Sequence, residues 1–212
     1  MAEQYFSAEP SSKDVRRTLN VTLQGHDAQV QVSNGVFSGS RVDLGTSVLL
    51  KHAPEPPVSG NMLDLGCGWG PIALALAFAS PEANVWAVDV NERALELTHV
   101  NAEANGCRNI HTTQVDETST PLPADRQSAH CEPIPGDLTF DAIWSNPPDS
   151  HRQGGLAYAA HGLAAQTQGG RSGLSGGAKE PWLRLADPLA GRIAGRRVHC
   201  KQIRELQGLP YH

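Results

Sequence analysis

The spacing of apolar and polar residues changes along the chain, and each change predicts a different element. In the first 58 residues, two short runs alternate apolar with polar positions, at 19–23 and 30–32, on either side of residues 25–27. Alternation of this kind around a turn that contains glycine predicts a β-hairpin. Residues 44–51 then form a short helical pattern that opens near Asp43 and ends before a group of prolines.

From residue 61 onward, short apolar runs alternate with helical patterns. The predicted strands cover residues 62–65, 85–88, 110–115 and 140–145. Pro71 opens the first intervening helix, where its missing N–H costs nothing, and Asn91 caps the second. This order predicts an α/β fold, a doubly wound and mostly parallel sheet with helices on both faces. Residues 117–139 contain four prolines, and so long an irregular connection is either an insertion near the site or disordered.

Composition narrows the class of protein. Charged residues are 18% of the 212, which excludes a highly charged disordered chain. No apolar run approaches the ~20 residues of a membrane span, and the first residues lack the basic and apolar parts of a signal peptide. The four cysteines show no paired spacing, and the nine histidines show none that suits a metal. We therefore expect a cytoplasmic protein with no membrane partner and no metal site.

The strongest chemical signal is a glycine-rich loop between the first apolar strand and its helix. Gly66, Gly68 and Gly70 allow the backbone to turn tightly and approach a ligand, and the helix that follows offers unpaired N–H groups. The spacing is G-x-G-x-G, not the G-x-G-x-x-G of dinucleotide sites, and Asp64 precedes it. This favours a ligand with an ammonium that Asp64 can face, while Asp89 after the next strand can accept hydrogen bonds from ribose hydroxyls. The alternative is a turn that only packs strand against helix.

The second signal follows the fourth strand, where Asn146, Pro147 and Pro148 come in succession. The carboxyl ends of strands in such sheets meet at one edge, so this turn is expected beside the glycine loop. The amide oxygen of Asn146 and a proline carbonyl can both accept from a planar –NH2 group and turn its lone pair toward an electrophilic methyl group. The alternative is a turn that merely ends the strand. Cys67 has no histidine beside it in the motif and is interpreted as a small residue that fits the loop, not as a nucleophile.

These blocks resemble the class I S-adenosylmethionine-dependent methyltransferases. DLGCGWGPIALALA is similar to their glycine-loop motif. VFSGSRVDLGTSVLL, WAVDVNERALELTHVNAEANG and FDAIWSNPP resemble the methyltransferase small group, which includes the 16S ribosomal RNA guanine-N2 methyltransferases of the small-subunit methyltransferase C type. The resemblance covers residues 5–148.

The resemblance implies a Rossmann-like fold, S-adenosyl-L-methionine as the cofactor, and an exocyclic amine as methyl acceptor, with guanine N2 of ribosomal RNA as the favoured target. The residues that it assigns to the cofactor are Gly45, Thr46, Asp64, Leu65, Gly66, Cys67, Gly68, Gly70, Asp89, Val90, Asp116, Glu117 and Asn146. Asp116 would lie by the adenine, and Asn146, Pro147 and Pro148 would be catalytic because they orient the target amine. The target base would have to leave its stack to enter the pocket. RNA is thus the expected partner of a monomeric enzyme.

The chain departs from the family after Pro148, where the family has three more strands. Residues 149–212 show no strand pattern, and they hold 9 Lys/Arg and 4 Asp/Glu, which leaves 8 and 18 for the first 148 residues. When the degenerate codons of this tail are read one base later, three stretches resemble the missing segments in the correct order. We therefore hypothesise a frameshift close to the codon for Pro148. The predicted organisation is an N-terminal hairpin extension at 1–58, a cofactor-binding domain at 59–148 and an irregular, out-of-frame tail at 149–212, which leaves the sheet incomplete.

Two alternatives to the guanine prediction stay open. Amide and adenine-amine methyltransferases also use an NPP-type turn, but they usually place an aromatic residue after the second proline, where this chain has Asp149. The other alternative is a remnant that binds the cofactor without turnover, because the second half of the fold is missing. The acidic balance of the first 148 residues does not itself favour binding to phosphates, which requires Lys and Arg.

Overall fold

The computed structural model describes residues 12–146 of the chain. The elements are, in chain order, β1 (Arg16–Leu23), β2 (His26–Ser33), α1 (Leu44–His52), β3 (Ser59–Leu65), α2 (Pro71–Ala79), β4 (Glu82–Asp89), α3 (Glu92–Ala104), β5 (Ile110–Gln114) and β6 (Ala142–Trp144). The predictions for Pro147, Pro148 and the tail at 149–212 lie outside the described residues. Between residues 12 and 146, no helix is both long and apolar enough to cross a membrane.

Strands β3 to β6 form one parallel sheet in the order β5-β4-β3-β6, which confirms the predicted α/β fold. Leu65 at the end of β3 pairs with Val88 of β4, and Asp64 pairs with Trp144 of β6. The carboxyl ends of these three neighbouring strands therefore lie side by side. Because ligands of open α/β sheets bind beyond the carboxyl ends of the strands, this register defines where a site is expected.

The two faces of the sheet are covered in different ways. On one face, Met62 and Val85 belong to a large apolar cluster that includes side chains of all three helices and of the hairpin. Helix α2 is apolar on every side, and each residue from Pro71 to Ala77 is buried. The other face is covered by apolar residues of the connection between β5 and β6, namely Val115, Ile134, Leu138 and Phe140. No helix of the described part belongs to this second cluster, although the sequence pattern predicted helices on both faces.

The long connection between β5 and β6 is ordered and follows the outer edge of β5. The backbone N–H of Glu132 donates to the carbonyl of Thr112 at 2.9 Å, and the Thr113 hydroxyl donates to the carbonyl of Glu132 at 2.7 Å. A single short 3-10 turn, Ala124–Arg126, interrupts it. The connection therefore supplies the edge of β5 with partners that a further strand would otherwise provide.

The N-terminal hairpin consists of β1 and β2, paired antiparallel from Arg16↔Ser33 to Leu23↔His26. Its turn is Gln24-Gly25, one residue earlier than the sequence predicted, and both residues have positive φ, as a two-residue type I′ turn requires. Leu23, Val30 and other inward-facing residues join the large cluster. The hairpin thus packs on the α2 and α3 side of the sheet.

Two asparagine side chains, Asn101 within α3 and Asn105 at its C-cap, bind the outer edge of β2. The amide of Asn101 accepts from the N–H of Gln31 at 2.6 Å and donates to its carbonyl at 2.9 Å. Asn105 makes the same pair of bonds to Gln29, at 3.2 and 2.9 Å. Asn101 also donates to the carbonyl of Trp69 in the glycine loop at 2.9 Å. One buried amide therefore connects the hairpin, α3 and the glycine loop.

Candidate active site

The glycine loop after β3 uses its glycines for two different purposes. Gly66, Gly68 and Gly70 all have positive φ, at 79°, 58° and 91°. A Cβ at Gly70 would lie 3.0 Å from both side-chain atoms Cγ2 and Oγ1 of Thr98, whereas a Cβ at Gly68 would meet only the Phe37 carbonyl, at 3.9 Å. A side chain at residue 70 would therefore clash with α3, whereas a side chain at residue 68 would project into largely empty space.

Asp64, near the end of β3, presents a buried carboxylate to the start of α2. Its Oδ2 accepts from the backbone N–H of Ala73 at 3.0 Å, and its Oδ1 is buried without a hydrogen-bond partner among residues 12–146. Burial, opposed by the Ala73 hydrogen bond and reinforced by Asp89, raises the pKa of Asp64 to about 8. A buried acceptor without a partner is costly, so a cationic or N–H-bearing ligand at Oδ1 would remove a penalty.

Asp89, at the end of β4, is partly exposed and anchors the same loop. Its Oδ2 accepts from the N–H of Gly68 at 2.9 Å, and its Oδ1 accepts from the N–H of Asn91 at 3.0 Å. Desolvation by burial raises its pKa, against the effect of these backbone hydrogen bonds. A carboxylate has about four lone-pair sites, so Asp89 can still accept from hydroxyl groups of a ligand.

Asn146 is held at the end of β6 by its neighbours and by α1. The hydroxyl of the preceding residue, Ser145, donates to the carbonyl of Leu65 at 2.7 Å and fixes the strand end against β3. The Asn146 Nδ2 donates to Asp43 Oδ2 at 2.9 Å and to Thr46 Oγ1 at 3.0 Å. Asp43 is also the N-cap of α1, where it accepts from the N–H of Gly45 at 2.7 Å.

Several of these groups line one cleft at the carboxyl edge of the sheet. Its lining includes Phe37, Asp43 and Thr46, residues 66–69 of the glycine loop, and Asn146. The cleft is partly open to solvent. Convergent polar groups in such a cleft can orient a small ligand.

The structure brings five of the sequence-predicted residues to this cleft, namely Thr46, Gly66, Cys67, Gly68 and Asn146. Five more belong to the adjoining strand ends, loop and helix but do not line it: Gly45, Asp64, Leu65, Gly70 and Asp89. Burial raises the pKa of the Cys67 thiol well above its usual range, so the thiol is neutral and a poor nucleophile.

Three predicted cofactor residues lie elsewhere along the same edge. Val90 is buried in the second apolar cluster, and its carbonyl accepts from the Gln114 side chain at 3.3 Å. Asp116 is exposed and accepts from the N–H groups of Thr118 and Thr120, so its carboxylate closes its own turn. Glu117 is exposed. Neither acidic residue borders the cleft, and their assignment to the cofactor stays a prediction.

Several residues of the cleft were not predicted as site residues, among them Asp43 and Phe37. Asp43 was recognised only as the residue near which a helix opens, and its contact with Asn146 joins positions 103 apart in the chain. Phe37 is a large apolar residue that is nonetheless 37% exposed, and it lines the cleft. The signal for both was their position in the block VFSGSRVDLGTSVLL before β3, from which only Gly45 and Thr46 were assigned to the cofactor.

Comparison with known proteins gives the family. Residues 27–168 match the Methyltransferase small domain. The protein YbxB of Bacillus subtilis (strain 168) is 38% identical over 148 residues, which are 70% of this chain and 67% of that protein. The Ribosomal RNA small subunit methyltransferase C of Shewanella sediminis (strain HAW-EB3) is 42% identical over 88 residues, 41% of this chain and 25% of the relative, so the chain spans only about a quarter of the Shewanella proteins it matches.

One solved structure that resembles part of this chain is the T. thermophilus 16S rRNA N2 G1207 methyltransferase (RsmC) in complex with AdoMet and guanosine. It is 22% identical with a TM-score of 0.49, over 74% of this chain and 40% of that one. The family match confirms the resemblance that the glycine loop and the SNPP turn indicated. The chain therefore belongs to the Methyltransferase small domain family, a family of S-adenosylmethionine-dependent methyltransferases.

Proposed function

We propose that this chain transfers a methyl group from S-adenosylmethionine to the exocyclic N2 amine of a guanine in ribosomal RNA. The observation that carries the proposal is the Asn146 amide, held beside the glycine loop with both N–H groups engaged. An amide held in this way presents its oxygen, not its nitrogen, to a group in the cleft. A carbonyl oxygen is the acceptor that an incoming –NH2 group requires.

The residues of the cleft fit the proposed cofactor. Asp64 Oδ1, buried and unpaired within the described chain, can accept from an ammonium directly or through a water molecule. Asp89 retains lone pairs for ribose hydroxyls after binding Gly68 and Asn91. Gly68 leaves space where a side chain would project. When bound, S-adenosylmethionine supplies a methyl group on a positively charged sulfur.

Asn146 acts on the acceptor by orientation. Its Oδ1 accepts one N–H of the target amine. This hydrogen bond fixes the plane of the –NH2 group, so the nitrogen lone pair points away from the Asn146 oxygen. A reacting pair held in this geometry gains much of its rate from alignment alone. Asn146 need not remove a proton, because the amine loses it to solvent after the nitrogen has acquired the methyl group. The roles proposed for the Pro147 and Pro148 carbonyls rest on the sequence, since both residues lie outside the described range.

The RNA part of the proposal rests on the relatives and on one feature of the cleft. The Shewanella relatives are named ribosomal RNA methyltransferases. Phe37 offers an aromatic surface at the cleft wall, and proteins commonly hold extruded bases on such side chains. Charge does not contribute, because the first 148 residues hold 18 Asp/Glu against 8 Lys/Arg. We therefore attribute recognition of the base to the cleft and not to a basic surface of residues 12–146.

A second candidate, a chain that binds the cofactor without turnover, has one observation in its favour. β6 is three residues long and forms one edge of the sheet, with no strand beyond it up to residue 146. Open strand edges leave N–H and C=O groups without partners, so a shortened sheet would hold Asn146 less firmly.

The test measures binding and transfer separately on the full-length chain. Calorimetric titration with S-adenosylmethionine gives binding, and incubation of 16S RNA, free and in assembled small subunits, with tritiated cofactor gives transfer. Nucleoside chromatography then identifies the product, and we expect N2-methylguanosine that disappears in Asn146→Ala. If the product were N6-methyladenosine, or a methylated amide in a protein, the acceptor would be the alternative one and not guanine. Binding without any methylated product would establish the remnant.

A further inference from the structure

We propose that Asp43 is a positioning residue for methyl transfer, because its carboxylate determines which end of the Asn146 amide faces the acceptor amine. The inference rests on the proposed function in so far as Asn146 receives the target amine. Asp43 itself makes no contact with the reacting atoms in this account and acts through Asn146.

The contacts of Asp43 join two elements that are distant in sequence. One oxygen, Oδ2, accepts from the backbone N–H of Gly45 at 2.7 Å and from Asn146 Nδ2 at 2.9 Å. Thr46 Oγ1 is a second acceptor for the same nitrogen, at 3.0 Å. Both hydrogens of the Asn146 amide nitrogen are therefore directed toward α1.

An ionised carboxylate only accepts hydrogen bonds, and this settles the amide orientation on chemical grounds. If Asn146 were turned by half a rotation, its Oδ1 would face Asp43 Oδ2 at hydrogen-bond distance with no hydrogen between them. The amide oxygen consequently points away from Asp43 Oδ2 and lies close to Gly45. A Cβ at residue 45 would approach it to 2.5 Å, so the absence of a side chain at Gly45 makes room for this orientation.

A purely structural role for Asp43 is the competing explanation, because Asp43 is also the N-cap of α1. Asn and Ser cap helices about as well as Asp. In Asp43→Asn, one amide oxygen in the Oδ2 position can keep both the cap and the contact with Asn146, so this variant does not separate the two roles. In Asp43→Ser, the hydroxyl can keep the cap but is too short to reach Asn146, whose –NH2 group can then turn toward the acceptor amine. A cap explanation expects no loss from this substitution, whereas the positioning role expects a large one.

The experiment compares Asp43→Ser and Asp43→Asn with the wild type, measured as kcat for methyl transfer by the full-length chain. We expect kcat to fall about 100-fold in Asp43→Ser, as for loss of one directed hydrogen bond in a transition state. Asp43→Asn, which keeps an acceptor oxygen in the Oδ2 position, should change kcat little. Asn146→Asp should lose kcat as Asp43→Ser does, because two carboxylates then face each other. Asp137→Ser, which removes an exposed carboxylate from the β5–β6 connection, is the matched control.

Wild-type kcat in Asp43→Ser would overturn the inference, because the cap alone would then account for Asp43. Asp43→Thr gives a second route if Asp43→Ser does not fold, since threonine can also cap α1 but is too short to reach Asn146; it should lose kcat as Asp43→Ser does.

A readout without catalysis separates this inference from the proposed function. With ¹⁵N-labelled asparagine, the side-chain amide protons of Asn146 should exchange slowly with solvent in the wild-type chain and rapidly in Asp43→Ser. If no RNA is methylated but this protection is present and depends on Asp43, the proposed function fails while the contact stands. If protection is absent, the positioning role fails whatever the activity.

Discussion

At the scale of single residues, alanine should cost more stability at Gly70 than at Gly68 of the same loop. Alanine at Gly70 forces a Cβ to 3.0 Å from Thr98 and a side chain into φ +91°, and we expect the free energy of unfolding to fall by about 1–3 kcal/mol or more. Alanine at Gly68, at φ +58°, meets only the Phe37 carbonyl at an ordinary 3.9 Å, so stability should fall by a smaller amount, about 1–2 kcal/mol, while cofactor affinity is lost. Urea unfolding and calorimetric titration of both variants check this, and equal stability losses would contradict it.

Asp64 predicts a pH effect on stability. Its pKa is about 8 in the folded chain and about 3.9 in an unfolded one. Between these values the folded state retains a proton that the unfolded state has released, so wild-type stability falls as pH rises through this window. Asp64→Asn has no proton to lose at this position. Its free energy of unfolding should therefore rise relative to that of the wild type by up to about 1.4 kcal/mol per pH unit and stop rising above the folded-state pKa of Asp64. Denaturant unfolding of both proteins across the window tests it; parallel curves would refute it, and the variant should bind cofactor more weakly.

The sequence predicted those residues whose role follows from local spacing. Asp64 and the glycines 66, 68 and 70 are a contiguous motif, and Asp89 ends the next strand, so strand–loop–helix order suffices to place them together. Asp43 could not be found in this way, because its role depends on a contact with a residue 103 positions away. The cap signal identified the residue, but only the tertiary contact suggests the positioning role that we propose for it.

At the scale of elements, the asparagines of α3 hold the hairpin. Asn101→Ala would leave the N–H and carbonyl of Gln31 and the carbonyl of Trp69 without these partners. We expect a loss of about 1–3 kcal/mol in the free energy of unfolding, since these groups are buried or half-buried. Asn105→Ala is the matched control, because it releases a similar pair of bonds to Gln29 at a more exposed position. Chemical denaturation of both variants measures the difference, and an equal or smaller loss in Asn101→Ala would be the contrary outcome.

Elements with a regular period were predicted well, and irregular ones were not. Helix α2, with Pro71 at its start, and α3, with Asn91 as its cap, begin where the sequence indicated. For the connection between β5 and β6, the sequence left open whether it is an insertion near the site or disordered. It is ordered, packs along β5 and does not border the cleft. Its bonds use backbone groups of Glu132 and side chains such as Thr113, which no periodic pattern reveals.

At the scale of the whole molecule, the frameshift hypothesis concerns the reading frame of the gene after the codon for Pro148. The four-stranded sheet ends at β6 within the described range, and the family was expected to add strands beyond it. Resequencing the gene through the codons for Phe140 to His212 should show one extra base, or two missing, close to Pro148. If the printed frame stands, we expect weak cofactor binding and no methyl transfer. A protease-resistant, cooperatively unfolding tail in the printed frame would contradict the hypothesis.

The amide pairs between α3 and β2 also limit how the chain can change in length. Four residues of helix advance about 6 Å, and two residues of strand about 6.7 Å. Asn101 and Asn105 therefore match Gln31 and Gln29, respectively, only while both intervals are kept. One residue inserted into either interval would move one amide away from its partner, whereas the hairpin turn and the exposed strand β1 carry no such restriction. In alignments with related sequences, we therefore expect gaps at the hairpin turn, but none between residues 29 and 31 and none between residues 101 and 105.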